Sequence, residues 1–113
     1  MKFKSVVLEY FRLFSLKDYC SIEKLLSEDV ALRDWNIHVS GKTKVINATK
    51  DIFDSVNTIS VRPISFFSNS DYAYAVLILI TINGGQGMEV IDVINLNVDG
   101  KIESINAFRI ENI

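Results

Sequence analysis

Several things that would define a functional class are scarce in this sequence. One cysteine, Cys20, in 113 residues leaves no internal disulfide framework. One histidine, His38, stands without a second clustered ligand, which argues against a zinc site. Its 12 basic residues are outnumbered by 14 acidic ones and scattered along the chain, so no cationic stripe suits nucleic acid. The longest apolar run, AYAVLILITI at 73–82, is far short of the ~20 residues of a membrane-crossing helix. Glu9 and Arg12 interrupt the apolar stretch near the N-terminus and no small-residue cleavage site follows, so it does not read as a signal peptide. The expectation is a soluble, cytoplasmic chain with neither nucleic-acid nor membrane partners. Cys20, with a single histidine to activate it, is expected to be buried and unreactive.

What remains is a chain 49% hydrophobic and 23% charged, which suits one globular domain over 1–113 with a single core. Phe3, Val6, Val7, Tyr10, Phe11 and Phe14 recur at helical spacing and predict an amphipathic helix over 3–17. A short helix is expected over 19–26 and a strand over 30–39, with Val30, Leu32 and Asp34 on one face and Trp35 on the other. Val45, Ile46, Thr49, Ile52, Phe53 and Val56 form the stripe of a third helix over 43–56. Four strand patterns follow: 58–67, broken by Pro63 and therefore at an edge or a bulge; 71–82; 88–98; and KIESINAFRI from Lys101. SNSD at 68–71, the glycine-rich NGGQG and the Asp99–Gly100 pair mark the turns between them. NGGQG is glycine-rich like a phosphate loop, but no helix follows it, so it reads as a hairpin loop. The sequon at Asn47 lies within a predicted helix and is set aside. Helices first, then an antiparallel meander, make an α+β fold.

Two features of the meander matter for function. The strand at 71–82 is apolar on both faces, whereas a sheet with helices on one side exposes its other face to water. A second copy of the chain is the expected cover, giving a two-fold homodimer. The strand at 88–98 has one face of Met88, Val90, Ile94, Leu96 and Val98 with Asp92 in its middle. An unpaired ionised carboxylate is costly to bury. Asp92 is therefore outward, paired structurally, with Arg109 or Lys101 at hand, or protonated for a purpose.

The order of elements, with VVLEY on the first helix, RDW on the first strand and VIDVINLNVDGK in the meander, resembles the nuclear transport factor 2-like superfamily, closest to its ketosteroid isomerase and SnoaL-like branch. The resemblance spans nearly the whole chain. It implies a cone-shaped half-barrel: a curved, mostly antiparallel sheet wrapped around an apolar pocket that the N-terminal helices close. Dimers packed through the outer sheet face are common in that superfamily. Ketosteroid isomerases carry a tyrosine in a VVxxY context and an aspartate base 24 residues later, the spacing that separates Tyr10 from Asp34 here. They carry a second aspartate in an apolar meander strand, where this chain has Asp92. By resemblance, Asp34 is the base that moves a proton next to a carbonyl, and Tyr10 and a neutral Asp92 donate to the enolate oxygen. Such a base is worth ~10²–10⁴ in rate. Trp35 stands where those enzymes usually have proline, and a bulge could swing it over the pocket mouth.

The resemblance implies no cofactor and no metal, and a small apolar or carbonyl-containing molecule as the partner. Phe14, Trp35, Phe53, Phe66, Met88 and Phe108 are the expected pocket lining. His38 is expected at the rim. Tyr10 also reads as a plain core tyrosine, and Asp34 as a sheet-end acid paired with a lysine. Two rivals to proton transfer stay open. One is a non-catalytic ligand-binding or dimerisation module on the same fold. The other is a hydratase or epoxide hydrolase, with Arg62 or His38 positioning water beside Asp34.

Overall fold

The computed structural model describes residues 1–111, so the last two residues of the expected 1–113 domain lie outside the described residues. Helix α1 (Lys4–Ser15) buries Val7, Tyr10, Phe11 and Leu13, the stripe its spacing predicts. It ends where Lys17 turns left-handed (φ 56°) and the Asp18 amide bonds back to the Leu13 carbonyl at 3.0 Å. Asp18 then caps α2 (Tyr19–Glu23), its carboxylate accepting from the Ser21 amide at 3.0 Å. This helix stops earlier than the expected 26, because Leu26 already begins β1 (Leu26–Arg33). One turn of α2 buries Ile22 and leaves Cys20 outside, so the expectation of a buried cysteine fails.

The expected single strand over 30–39 is a hairpin: β1 ends at Arg33 and β2 (His38–Ser40) returns antiparallel to it. No glycine announces that turn; the Asp34 side chain builds it, as described below. Gly41 at φ 95° leads into α3 (Lys42–Asp54), which buries Val45, Ile46, Thr49 and Phe53. The meander follows as β3 (Ile59–Ser70), β4 (Ala73–Ile82), β5 (Met88–Leu96) and β6 (Ile102–Arg109). SNSD is mostly strand, since β3 runs through Ser70 and the chain reverses at Asp71–Tyr72. NGGQG and Asp99–Gly100 are hairpin connections as read, and Val98 is 76% exposed in the second.

The strands form one six-stranded, curved, unclosed sheet in the order β2-β1-β6-β5-β4-β3. All pairs are antiparallel except β1–β6, a parallel pairing that local patterns do not reveal. Pro63 lies on β3, one of the two edge strands, beside a register shift between Pro63 and Ser65. Helix α1 packs on β3 and α3 on β1, so the helices lie against the two ends of the sheet and leave a hollow between them. Among the described residues no helix is long and apolar enough to cross a membrane.

Candidate active site

The hollow is a cavity of about 220 Å³. Its walls are aliphatic: Ile78 and Ile80 from β4, Met88 and Val90 from β5, Leu32 from β1 and Ile105 from β6. Tyr10, Asp34 and Asp92, from three separate parts of the chain, all reach it.

Asp92 sits on the inward face of β5, between Val76 of β4 and Ala107 of β6, and is 6% exposed. The structural pairings open to it in the sequence do not form. Lys101 instead donates to the Lys24 carbonyl at 2.8 Å, and the ion pairs among the described residues are Met1–Asp71, Arg12–Glu9 and Lys42–Glu28. No buried side-chain polar atom among the described residues is sealed in without a partner, so the carboxyl of Asp92 opens onto the cavity. Burial, and after it the charge of Asp34, pushes its pKa from 3.8 up to about 7. Near neutral pH a large share of molecules therefore carries the Asp92 proton, and this acid can donate a hydrogen bond.

Tyr10 projects from α1 as part of an aromatic cluster, its ring 5.6 Å from Phe11 and 5.8 Å from Phe14. Burial first, then the carboxylates of Asp92 and Asp34, hold its phenol well above its ordinary pKa. It stays a neutral donor at any physiological pH.

Asp34 follows the last residue of β1 and is only half-buried. Its Oδ1 accepts from the amides of Asn36 at 2.7 Å and Ile37 at 2.6 Å, and its own amide donates to the Ile37 carbonyl at 2.8 Å. This side-chain-to-backbone turn reverses the chain into β2 without a glycine. It also fixes the carboxylate plane and leaves Oδ2 uncommitted. The same turn carries Trp35 to the cavity mouth, 43% exposed, although strand parity alone points it away.

Of the expected lining residues, Phe14, Trp35 and Met88 reach the cavity; Phe53, Phe66 and Phe108 do not. Phe53 lies behind Phe14, edge-on with centroids 4.8 Å apart. Phe66 follows the Pro63–Ser65 shift and packs against Tyr74 at 5.5 Å, beneath the Lys4 ammonium. Phe108 points to the outer face and is 58% exposed. Its parity is wrong because the pairing of β5 with β6 slips at Glu103: Asn95 faces Ser104 but Leu96 faces Ile102. Counted from Ile102, Phe108 is inward; past the slip, Ile105 and Ala107 are. Thr49 and Asn36 line the cavity and carry no sequence signal of it, one lying in a helix stripe and the other in a turn that no motif marks. His38 is exposed on β2, and neither His38 nor Arg62 bonds to Asp34, whose partners are backbone amides.

A curved sheet wrapped by three helices around a cavity with two acids and a tyrosine defines a class of fold. The chain adopts the nuclear transport factor 2-like, or cystatin-like, fold. A protein from Kribbella flavida provisionally described as a ketosteroid isomerase superposes with a TM-score of 0.84 at 15% identity, over 99% of this chain and 80% of that one. The epoxide hydrolase/cyclase-like enzyme SalBIII, of pyran ring formation in salinomycin, superposes with a TM-score of 0.76 at 21% identity, covering 96% and 90%. A nuclear transport factor 2-like protein of Cytophaga hutchinsonii gives 0.80 at 15% identity, covering 97% and 91%. At these identities the likeness is one of fold. No family model matches the sequence. No curated protein matches it either.

Proposed function

We propose that the protein moves a proton at carbon next to a carbonyl, in a reaction of the ketosteroid isomerase type. Asp34 Oδ2 takes the α-proton, and its electron pair moves into the carbonyl as an enolate. Tyr10 and neutral Asp92 donate hydrogen bonds to the enolate oxygen in a mostly apolar cavity, where such donors count more than in water. Asp34 then returns the proton at the γ-carbon, which shifts the double bond with no net change in atoms. The observation that carries this reading is Asp92: a buried acid whose carboxyl has no partner among the described residues, facing the same cavity as Tyr10 and a carboxylate held by backbone amides. A SnoaL-type cyclisation would use the same base. A plain binding module has no need of either acid. The separation of the two carboxyls' roles by environment follows the pattern known from ketosteroid isomerase itself.

The test is conversion of a β,γ-unsaturated cyclohexenone to its conjugated form, followed by ultraviolet absorbance, with Asp34→Asn as control. The expected result is turnover that falls ~10²–10⁴-fold in the variant. Equal rates in both proteins would sink the reading.

The outer sheet face supports a second proposal, a two-fold dimer. Leu77, Leu79, Ile91 and Val93 lie half-exposed there, and Phe108 more so, making an apolar surface that a second copy can match with its own. Sedimentation should give the mass of two chains, and Ile91→Arg should give one. A monomeric wild type would end this proposal.

A further inference from the structure

The cavity has a neighbour. A second cleft shares Asp34, Trp35 and Ala107 with it and is lined further by Arg33, Asn106 and Arg109. Resting on the proton-transfer reading for its carbonyl chemistry, we infer that the ligand is a ketone or enone with a carboxylate arm. Its carbonyl enters the cavity, and the arm lies in the second cleft against Arg33 and Arg109.

The cleft arises because two neighbouring strands end at different points. Arg33 closes β1 beside Asn106 of β6, and the two strands run parallel. The chain then turns away at Asp34, while β6 continues to Arg109. Residues 107–109 therefore have no strand opposite them on that side. The Ile110 amide bonds across to the Glu89 carbonyl at 3.0 Å, and bonding alternates along an antiparallel pair. The Arg109 amide consequently points away from β5, toward the side that β1 has vacated. The gap gains a backbone donor beside its two guanidinium groups.

Neither arginine is in an ion pair among the described residues, although Asp34 and Glu111 line the same cleft. Two amides already bond to Asp34 and offset part of its charge. Glu111 is exposed, where water and salt screen it. The guanidinium groups are thus the unanswered charges, and their fork geometry matches a carboxylate. A phosphate dianion would meet stronger repulsion from Asp34 beside it. The arm cannot share the cavity itself: among the described residues no Lys, Arg or His lines it, and its walls are mostly hydrocarbon. Of the cleft's residues only Phe108 also belongs to the apolar patch proposed for the dimer.

Trp35 lines both hollows, so its fluorescence reports binding at either, and calorimetry in parallel catches binding that leaves it silent. The probes are cyclohexenones bearing an ethanoate, butanoate or hexanoate arm, each beside its methyl ester. The full chain is titrated at about pH 6, where Asp92 keeps most of its proton and the arm is ionised. For the best arm, the carboxylate should bind about tenfold or more tighter than its ester, a gap of about 1.4 kcal/mol. Arg33→Gln and Arg109→Gln should each shrink that ratio about threefold or more. Lys44→Gln, which removes the same charge from an exposed position on α3, should leave it in place. Raising sodium chloride from about 20 mM to about 500 mM should shrink it as well, because the cleft is open to solvent. Esters that bind as tightly as carboxylates at every arm length overturn the inference. So does a ratio that the arginine variants leave unchanged, one that Lys44→Gln lowers equally, or no binding by any probe. Deuterium uptake next to the carbonyl in D₂O, above the rate without protein, separates the two readings. Tighter carboxylate binding without uptake keeps the arginine site and removes proton transfer. Uptake with equal affinities keeps proton transfer and removes the arginine site.

Discussion

The turn after β1 and the middle of β5 each present one carboxyl group to the same cavity, in opposite surroundings. Asp34 stands in a solvent-touched hairpin, and two amides hold one of its oxygens. Asp92 stands on a buried strand face, flanked by Val76 and Ala107, and its carboxyl has no hydrogen-bond partner among the described residues. Hydrogen bonds donated to a carboxylate favour its charge; burial without them favours its proton. Two identical side chains thus stand in opposite surroundings, a contrast on which the proposed division into base and donor rests. The charge of Asp34 adds to burial in raising the cost of ionising Asp92.

The largest expected effect breaks the base. Asp34→Asn should lower isomerisation ~10²–10⁴-fold, measured as kcat, while changing the thermal midpoint little, because the amide oxygen of Asn still accepts from Asn36 and Ile37. A midpoint that collapses would mean that the residue's charge, rather than its turn, holds the hairpin.

Next in size is the cost of the buried acid. In the unfolded chain Asp92 ionises near 3.8, in the folded one near 7. Between those values the unfolded state has lost the proton that the native state keeps, so stability falls as pH rises from ~4 to ~7 and levels off above. A rise of about three units at ~1.4 kcal/mol each amounts to about 4 kcal/mol. Asp92→Leu should recover most of that at pH 8 and little at pH 4, in urea unfolding followed at both values. It should also abolish the donor and lower kcat ~10²–10³-fold. Equal stabilisation at both pH values would mean that the native carboxyl is not protonated when wild type folds.

The smallest effect separates the turn from the chemistry. Asp34→Ala removes the acceptor of two amide hydrogen bonds and should destabilise by ~1–3 kcal/mol, with Trp35 emission shifting as its turn loosens. Asp34→Asn should leave that emission in place. If both variants shift it equally, the Asp34 side chain does not position Trp35.

The same contrast explains what the sequence disclosed. Asp92 was legible because strand parity is strict and a lone acid on an apolar face is conspicuous. Tyr10 followed from helical spacing, which holds through α1 without interruption. Asp34 fell on the right face although β1 stops before it, since Val30 and Leu32 set the parity up to the turn. Parity failed where pairing slips: Glu103 shifts β6 by one residue and sends Phe108 outside. The hairpin at 34–37 was hidden because a side chain builds it, in a segment with no glycine or proline. The parallel contact of β1 with β6 and the position of Thr49 depend on elements far apart in the chain, which local periodicity does not encode.

The central claim is that one of the two acids is kept neutral by its surroundings. Carbon-13 labelling of the aspartate carboxyls, followed by NMR against pH with Asp92→Asn assigning the signal, tests it without any substrate. The account predicts a carboxyl that keeps its proton until about pH 7. Titration of Asp92 near 4 would contradict it and remove the donor from the site.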